Sequence, residues 1–164
     1  MFLNPLQVIG HLPVPYGGRA GDFGTGAGDF AKALAERVGP SGTVYALDAF
    51  SPVLDSVSRA VTRAGATCFA IAADFNESIP LRDKLLHAAV VSNVMHALKD
   101  RARFVSELSR VMEPGGRILC IDWIASFRNM GPPEESVLMP AETIRLFRAN
   151  GFTTDDMLPA GTHH

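Results

Sequence analysis

Two hydrophobic rhythms take turns along the chain. Apolar residues recurring every three or four positions mark helices, and short unbroken apolar runs between turn residues mark buried strands. "LNPLQVIGHL" reads as a short opening helix: Asn4 can cap it, and Pro5 suits the first helical position, where a missing N–H costs nothing. "PVPYGG" breaks the chain, so residues 1–18 form a short helix and an approach segment. "RAGDF" is a weak strand because Gly21 sits inside it. Over 27–38, Phe30, Ala33, Leu34 and Val38 share a helical face, and "GPSG" stops the helix. The run 43–49, "TVYALDA", predicts a buried strand. "SPVLDSVSRAVTRAG" predicts a helix with Ser51 as its cap, Pro52 at its first position and Gly65 as its stop. Strands over 67–74 and 86–92 follow, then a helix over 100–112 closed by Pro114 and Gly115. "RILCIDWI" is a further strand, and a last helix over 140–149 ends at Asn150 and Gly151.

Alternating strands and helices imply an α/β fold, with a mostly parallel sheet covered by helices on both faces. The 164 residues suit one domain with a real core and are too few for two ordinary ones. No internal repeat, low-complexity tract or linker interrupts them. In such sheets ligands sit beyond the carboxyl ends of the strands, so chemistry is expected just after Phe23, Leu47, Ala73, Ser92 and Trp123.

Composition narrows the classes. Apolar residues make up 47% and charged residues 20%, a profile of soluble globular proteins, with a formal charge of −2. The basic residues are mostly scattered Arg, which argues against nucleic acid as a partner. Cys68 and Cys120 each lie in an apolar run and read as buried free thiols of a reducing compartment; no Cys/His cluster suggests a metal. No apolar run reaches the ~18 residues of a membrane span. The first residues lack a basic leader and a cleavage site, so the expected location is the cytoplasm.

Candidate chemistry starts at "DFGTGAGDF", 22–30. Gly24, Gly26 and Gly28 follow a strand and precede a helix, where bare backbone can approach a ligand. A tight turn alone would also explain them. A dinucleotide loop would read G-x-G-x-x-G, but here the third glycine's place is taken by Asp29, which would face a pyrophosphate. No Walker Lys-Ser/Thr ends the loop. Asp22 beside the turn suits a ligand with positive charge. Asp48, at the end of the second strand, can accept from both hydroxyls of a ribose, or cap the next helix. Asp74 can accept from an exocyclic adenine amine while the Phe75 N–H reaches a ring nitrogen, or serve only as a turn residue.

With "GDFGTGAG", the acidic end of "TVYALD", "AADF", "VVSNVMHALKD" and "RVMEPGGRILCIDW", the chain resembles the class I S-adenosylmethionine-dependent methyltransferases. Within them it is similar to the small branch of ubiquinone/menaquinone-biosynthesis and related methyltransferase-domain proteins. The resemblance implies a Rossmann-like fold, S-adenosylmethionine as cofactor and S-adenosylhomocysteine as product. It implies that Asp22, Gly24, Gly26 and Gly28 wrap the methionine part, that Asp48 holds the ribose with Phe50 nearby, and that Asp74 and Phe75 meet the adenine. Asn93, with Ser92, would line the cofactor. Two departures stand out. Gly21 replaces the usual aliphatic or alanine residue of the first strand. The family ends in a two-stranded hairpin, of which "FTTDDMLPAG" can supply only the first strand before "THH", so the final antiparallel strand is expected to be missing or truncated. His163 and His164 read equally as native residues or as a tag remnant. An open sheet edge of that kind would allow pairing into a homodimer.

A sulfonium methyl is already electrophilic, so the protein mainly has to align a nucleophile and exclude water. His96, after the fourth strand, is the candidate proton acceptor, or else a partly buried loop-orienting residue. Asp100 reads as a helix cap. Trp123, Phe127 and Met130 read as an apolar lid, with core packing equally open to Trp123. "SNVMH" lacks the Asn/Asp-Pro-Pro-Tyr of base and glutamine amine methylation, and no Pro-Cys dipeptide or thiol cluster is present. The expected acceptor is a small, apolar or soft-nucleophile molecule. Two alternatives remain: a catalytically silent cofactor-binding module of the same fold, and a nicotinamide-dependent oxidoreductase.

Overall fold

Residues 4–126, 131–154 and 157–158 are described in this computed structural model. Phe127, Met130, His163, His164 and most of "DDMLPAG" lie outside them. α1 (Pro5–Ile9) is capped by Asn4, whose side chain accepts from the Gln7 N–H. After it come β1 (Arg19–Phe23), α2 (Asp29–Val38), β2 (Thr43–Asp48), α3 (Leu54–Arg63) and β3 (Thr67–Ala72). β4 (Leu86–Ser92), α4 (Arg101–Val111), β5 (Met112–Ile121) and α5 (Pro140–Ala149) complete the order. The five strands form one sheet in the order β3-β2-β1-β4-β5, every pair parallel. No strand is formed by residues 152–154 and 157–158, the described part of the segment expected to supply the first strand of the hairpin.

Alternation along the strands feeds two cores. Phe23, Leu47, Ala89 and Val91 join Phe104, Leu108 and Phe147 on the α4–α5 face. Ala20, Val44, Ala46, Ala88 and Val90 join Ile9, Phe30, Leu34 and Val57 on the face of α1, α2 and α3. Successive side chains of a strand point to opposite faces, which is why continuous apolar runs, not alternating ones, mark this sheet.

Four local expectations need correction. β1 is the central strand, paired on both sides, despite its glycine; a Cβ at Gly21 would come within 2.7 Å of Leu86 Cδ1, so a larger residue there would have to displace that side chain. Ser51 caps nothing: Ser51–Val53 is a single 3-10 turn, and α3 begins only at Leu54. Pro114 and Gly115 do not lie between a helix and a strand. β5 starts directly at Met112, and its register against β4 shifts between Leu86 and Ala88, so both residues sit in a bulge, where a missing N–H and a φ of +82° at Gly115 are tolerated. β5 ends at Ile121, which puts Asp122 and Trp123 in the loop beyond it.

The segment from Ala73 to Leu85 crosses from β3 to β4 without a helix. Arg110 of α4 replaces the missing ladder, donating to the carbonyls of Ile79 and Leu81 and to Asp83, each at 2.8 Å. Glu107 orients the guanidinium and accepts from the Ile79 N–H at 2.9 Å. Charge-assisted bonds of this type are worth roughly 1.5–3 kcal/mol each when buried and less at a half-exposed site. Arg110→Ala is expected to lower stability by about 2 kcal/mol in urea unfolding; a loss under about 0.5 kcal/mol would mean that the clamp is not needed.

Candidate functional site

The strand order reverses between β1 and β4, and the carboxyl ends of the strands open there into a cleft of about 730 Å³. Every strand contributes: Gly24, Thr25 and Gly26 after β1, Asp48 at the end of β2, Asp74 and Phe75 after β3, Ser92 and Asn93 at β4, and Trp123 after β5. The alternation of the sequence into parallel strands thus gathers residues from five separate segments at one rim.

The loop after β1 is tied before any ligand arrives. The N–H groups of Gly24 and Thr25 donate to the Leu47 carbonyl at 2.9 and 3.1 Å. This bends the chain over β2 and brings the Gly26 N–H to Asp48 Oδ2 at 2.8 Å. Asp48 Oδ1 accepts from the Phe50 N–H, also at 2.8 Å. Each carboxylate oxygen so holds one backbone bond and keeps capacity for another donor. Gly26 has a φ of +49°, and a Cβ there would meet nothing closer than the Gly24 carbonyl at 4.0 Å, so bare backbone faces open space. Gly28, at a φ of +86°, is not among the residues lining the cleft, and a Cβ added there would come within 3.0 Å of Val57. The Phe50 side chain is 63% exposed and also lies outside the cleft; only its N–H serves Asp48.

Asp74 Oδ1 accepts from the backbone and side chain of Asn76 at 2.8 and 3.1 Å, and those bonds, the backbone one first, hold its carboxyl below the usual range. The Phe75 ring is buried, packed edge-on to Phe23 at 5.9 Å, while the residue lines the cleft beside Asp74. Asn93 has a φ of +56°, a conformation that Asn tolerates better than most residues and that collects at functional turns.

Asp22 is placed apart from these. It shares the strand face of Ala20, is fully buried beneath the loop and does not line the cleft. Thr25 Oγ1 donates to its Oδ2 at 2.7 Å, and its Oδ1 has no hydrogen-bond partner among the described residues. Burial pushes its carboxyl up to about 7, against the lowering effect of Thr25 and of the Ala31 N–H.

A second cavity, of about 490 Å³, adjoins the cleft and shares Asn93, Ala97 and Trp123 with it. His96 lines it, together with Pro132, Pro133 and Ser136. The ring Nδ1 of His96 lies 2.6 Å from Asp122 Oδ1, and the His96 N–H donates to Asp122 Oδ2 at 3.2 Å. Asp122 escaped the sequence reading, although an acidic residue just past a strand's carboxyl end was the signal that singled out Asp48 and Asp74. Asp100 caps α4, accepting from the Arg103 N–H at 2.9 Å. Both cysteines are free, as expected, but half-buried rather than buried; desolvation still pushes the Cys120 thiol up to about 12.

Comparison with known proteins agrees with this geometry. The family model described as "Methyltransferase domain" matches residues 21–120. The ubiquinone/menaquinone biosynthesis C-methyltransferase UbiE of Bordetella avium is 29% identical over 124 residues, 76% of this chain and 48% of that protein. Demethylmenaquinone methyltransferase of Anoxybacillus flavithermus is 30% identical over 111 residues, 68% of this chain and 47% of that one. The chain spans about half the length of the curated relatives it matches. Among solved structures, a SAM dependent methyltransferase from Aquifex aeolicus aligns with a TM-score of 0.85 and 27% identity, over 99% of this chain and 86% of that one.

The buried carboxyl of Asp22 has a measurable consequence. Its ordinary value of 3.8 rises to about 7 in the fold, so at intermediate pH the folded chain keeps a proton that the unfolded chain has lost. The stability it contributes is complete below about pH 4 and lost as the pH rises through about 7, a change of at most roughly 4 kcal/mol. Asp22→Asn cannot titrate. Its urea-unfolding stability relative to wild type is expected to climb across that window; a constant difference would exclude Asp22 as the source.

Proposed function

The chain belongs to the methyltransferase domain family, and from that premise we propose that it is an S-adenosylmethionine-dependent methyltransferase acting on a small apolar acceptor. The observation that carries this reading is Asp48, held by the Gly26 and Phe50 N–H groups with both oxygens able to accept again. That is the donor-poor, acceptor-rich arrangement that the two hydroxyls of a ribose require. The remaining residues fit the same cofactor. The bare backbone at Gly24 and Gly26 suits close approach of its methionine part, Asp74 and the Phe75 N–H suit an adenine, and Asn93 lies where the cleft meets the second cavity. Asp29 also lines the cleft, where a pyrophosphate would meet its charge, which disfavours a dinucleotide. When bound, the cofactor supplies a methyl group made electrophilic by its sulfonium and leaves as S-adenosylhomocysteine. Asp22 acts beneath the loop through Thr25.

The acceptor is assigned to the second cavity, whose Trp123, Pro132 and Pro133 suit a flat apolar molecule. The relatives named for ubiquinone/menaquinone biosynthesis and for demethylmenaquinone support a quinone-type ring there. The same reading places the protein in the cytoplasm, with no nucleic-acid partner, and allows two copies to pair along the outer edge of β5, the end strand of the sheet.

Titration calorimetry with S-adenosylmethionine and S-adenosylhomocysteine tests the proposal. Saturable binding is expected for wild type, with Kd roughly 10- to 100-fold weaker in Asp48→Ala, the loss of one or two charge-assisted hydrogen bonds. Unchanged affinity in that variant would remove the ribose assignment, and absence of binding in wild type would remove the methyltransferase reading itself. Labelled methyl transfer to a short-chain demethylmenaquinol then tests the acceptor.

A further inference from the structure

His96 belongs to a single 3-10 turn, Met95–Ala97, that follows β4, and Asp122 is the first residue beyond β5. β4 and β5 are parallel neighbours with Ser92 opposite Ile121, so the two strand ends deliver these side chains to the same place. Asp122 is itself fixed: the Trp123 N–H donates to its Oδ1 at 2.8 Å, and the His96 N–H to its Oδ2. Its side chain is only 10% exposed and that of His96 19%, a setting in which a carboxylate–imidazole bond is stronger than in open water. The 2.6 Å approach of Nδ1 to the carboxylate makes Nδ1 the protonated nitrogen of the neutral ring. The lone pair then sits on Nε2, at the ring edge away from Asp122, and His96 lines the second cavity. The hydrogen bonds of His96 among the described residues run through its backbone N–H and Nδ1, and none reaches Nε2. A base with its lone pair free therefore stands in the cavity that shares Asn93, Ala97 and Trp123 with the cleft.

We propose that Nε2 of His96 takes the proton of a hydroxyl carried on an aromatic ring, with Asp122 as its positioning residue. The proposal rests on the methyltransferase reading and names its acceptor class: a hydroxyarene. An amine or thioether acceptor attacks with a lone pair it already has and gains little from a base. A hydroxyarene is a weak nucleophile until its proton is removed, and its acidity is close enough to that of an imidazolium for a single His to do this. In the step, the O–H bond breaks, its electron pair stays on the oxygen and is shared with the ring carbons beside it, and the proton forms a bond to Nε2. The imidazolium so formed lies 2.6 Å from an Asp122 carboxylate oxygen. Methyl transfer to oxygen forms the O–CH3 bond as the S–CH3 bond breaks, its electron pair staying on the sulfur that leaves in S-adenosylhomocysteine, and gives a neutral ether. Transfer to a ring carbon is followed by loss of that carbon's proton to water. In both cases His96 returns its proton to solvent.

The first test needs no cofactor. Para-nitrophenol, a hydroxyarene whose ionised form is coloured, is titrated with protein at a pH where the free probe is mostly protonated. Wild type is expected to produce the phenolate band on binding. His96→Gln and Asp122→Asn are expected to lose the band, and Asp122→Glu to restore part of it. In the second test, with naphthohydroquinone and labelled S-adenosylmethionine, kcat should fall roughly 100- to 10,000-fold in His96→Gln and at least about tenfold in Asp122→Asn, with KM for the hydroquinone and Kd for the cofactor changed less than about threefold. Mass spectrometry of the product places the methyl on carbon or on oxygen, and either fits a hydroxyarene. The proposal is overturned if wild type leaves the probe protonated, if the band survives in His96→Gln, or if that variant keeps its kcat. His96→Gln alone decides the matter should Asp122→Asn fail to fold. Intact cofactor binding with no effect of His96 would remove the base and leave the methyltransferase reading standing.

Discussion

The upper rim of this protein depends on how closely β1 is held between β2 and β4. Gly21 sits opposite Tyr45 on one side and Ala89 on the other, and Leu86 Cδ1 lies 2.7 Å from where a Cβ would stand, so a larger residue would have to push Leu86 aside. With β1 fixed on both sides, the chain leaving it has one way to turn. Its first two amides go to the Leu47 carbonyl of the neighbouring strand, and the next glycine meets Asp48. The loop and the carboxylate are therefore one unit, built across two strands, and a loosened β1 would shift both.

The rim carboxylates share a construction. Asp48, Asp74 and Asp122 each stand at or just beyond the end of a strand, and each accepts from the backbone of a residue one or two positions further on: Phe50, Asn76 and Trp123. Short-range bonds of this type fix the side chain's direction without filling all its lone pairs. The site is oriented by its own backbone in advance, which reduces the ordering that binding would otherwise require. Asp22 obeys the other rule of the sheet. One position before the end of β1, it points into the α2 face, and the cost of burying it is visible in its raised affinity for a proton.

Much of this was legible in the chain. The helices over Asp29–Val38 and Pro140–Ala149, and the strands over Thr43–Asp48 and Leu86–Ser92, follow from apolar period and turn residues alone, as do the caps at Asn4 and Asp100. Asp48, Asp74 and His96 stand out in the sequence because residues at the carboxyl ends of parallel strands must face one crevice. Gly28 and Phe50 carry the expected spacing, but one packs on Val57 and the other turns to solvent. Spacing fixes a residue's place along the loop, not the direction of its side chain. Ser51 and Pro114 misled for a related reason, since a 3-10 turn and a bulge have the same local composition as a helix start and a helix stop.

Local periodicity, together with the geometry common to all parallel sheets, is enough to fix the class of fold, the order of its elements and the strand ends at which chemistry could occur. Which of those ends meet follows from long-range packing. Asp122 is 26 residues from His96 in the chain. It becomes its partner because β4 and β5 lie side by side in parallel register, a pairing fixed by the packing of two cores against one sheet. A contact of that range has no signature in local pattern: it exists only once the sheet has closed.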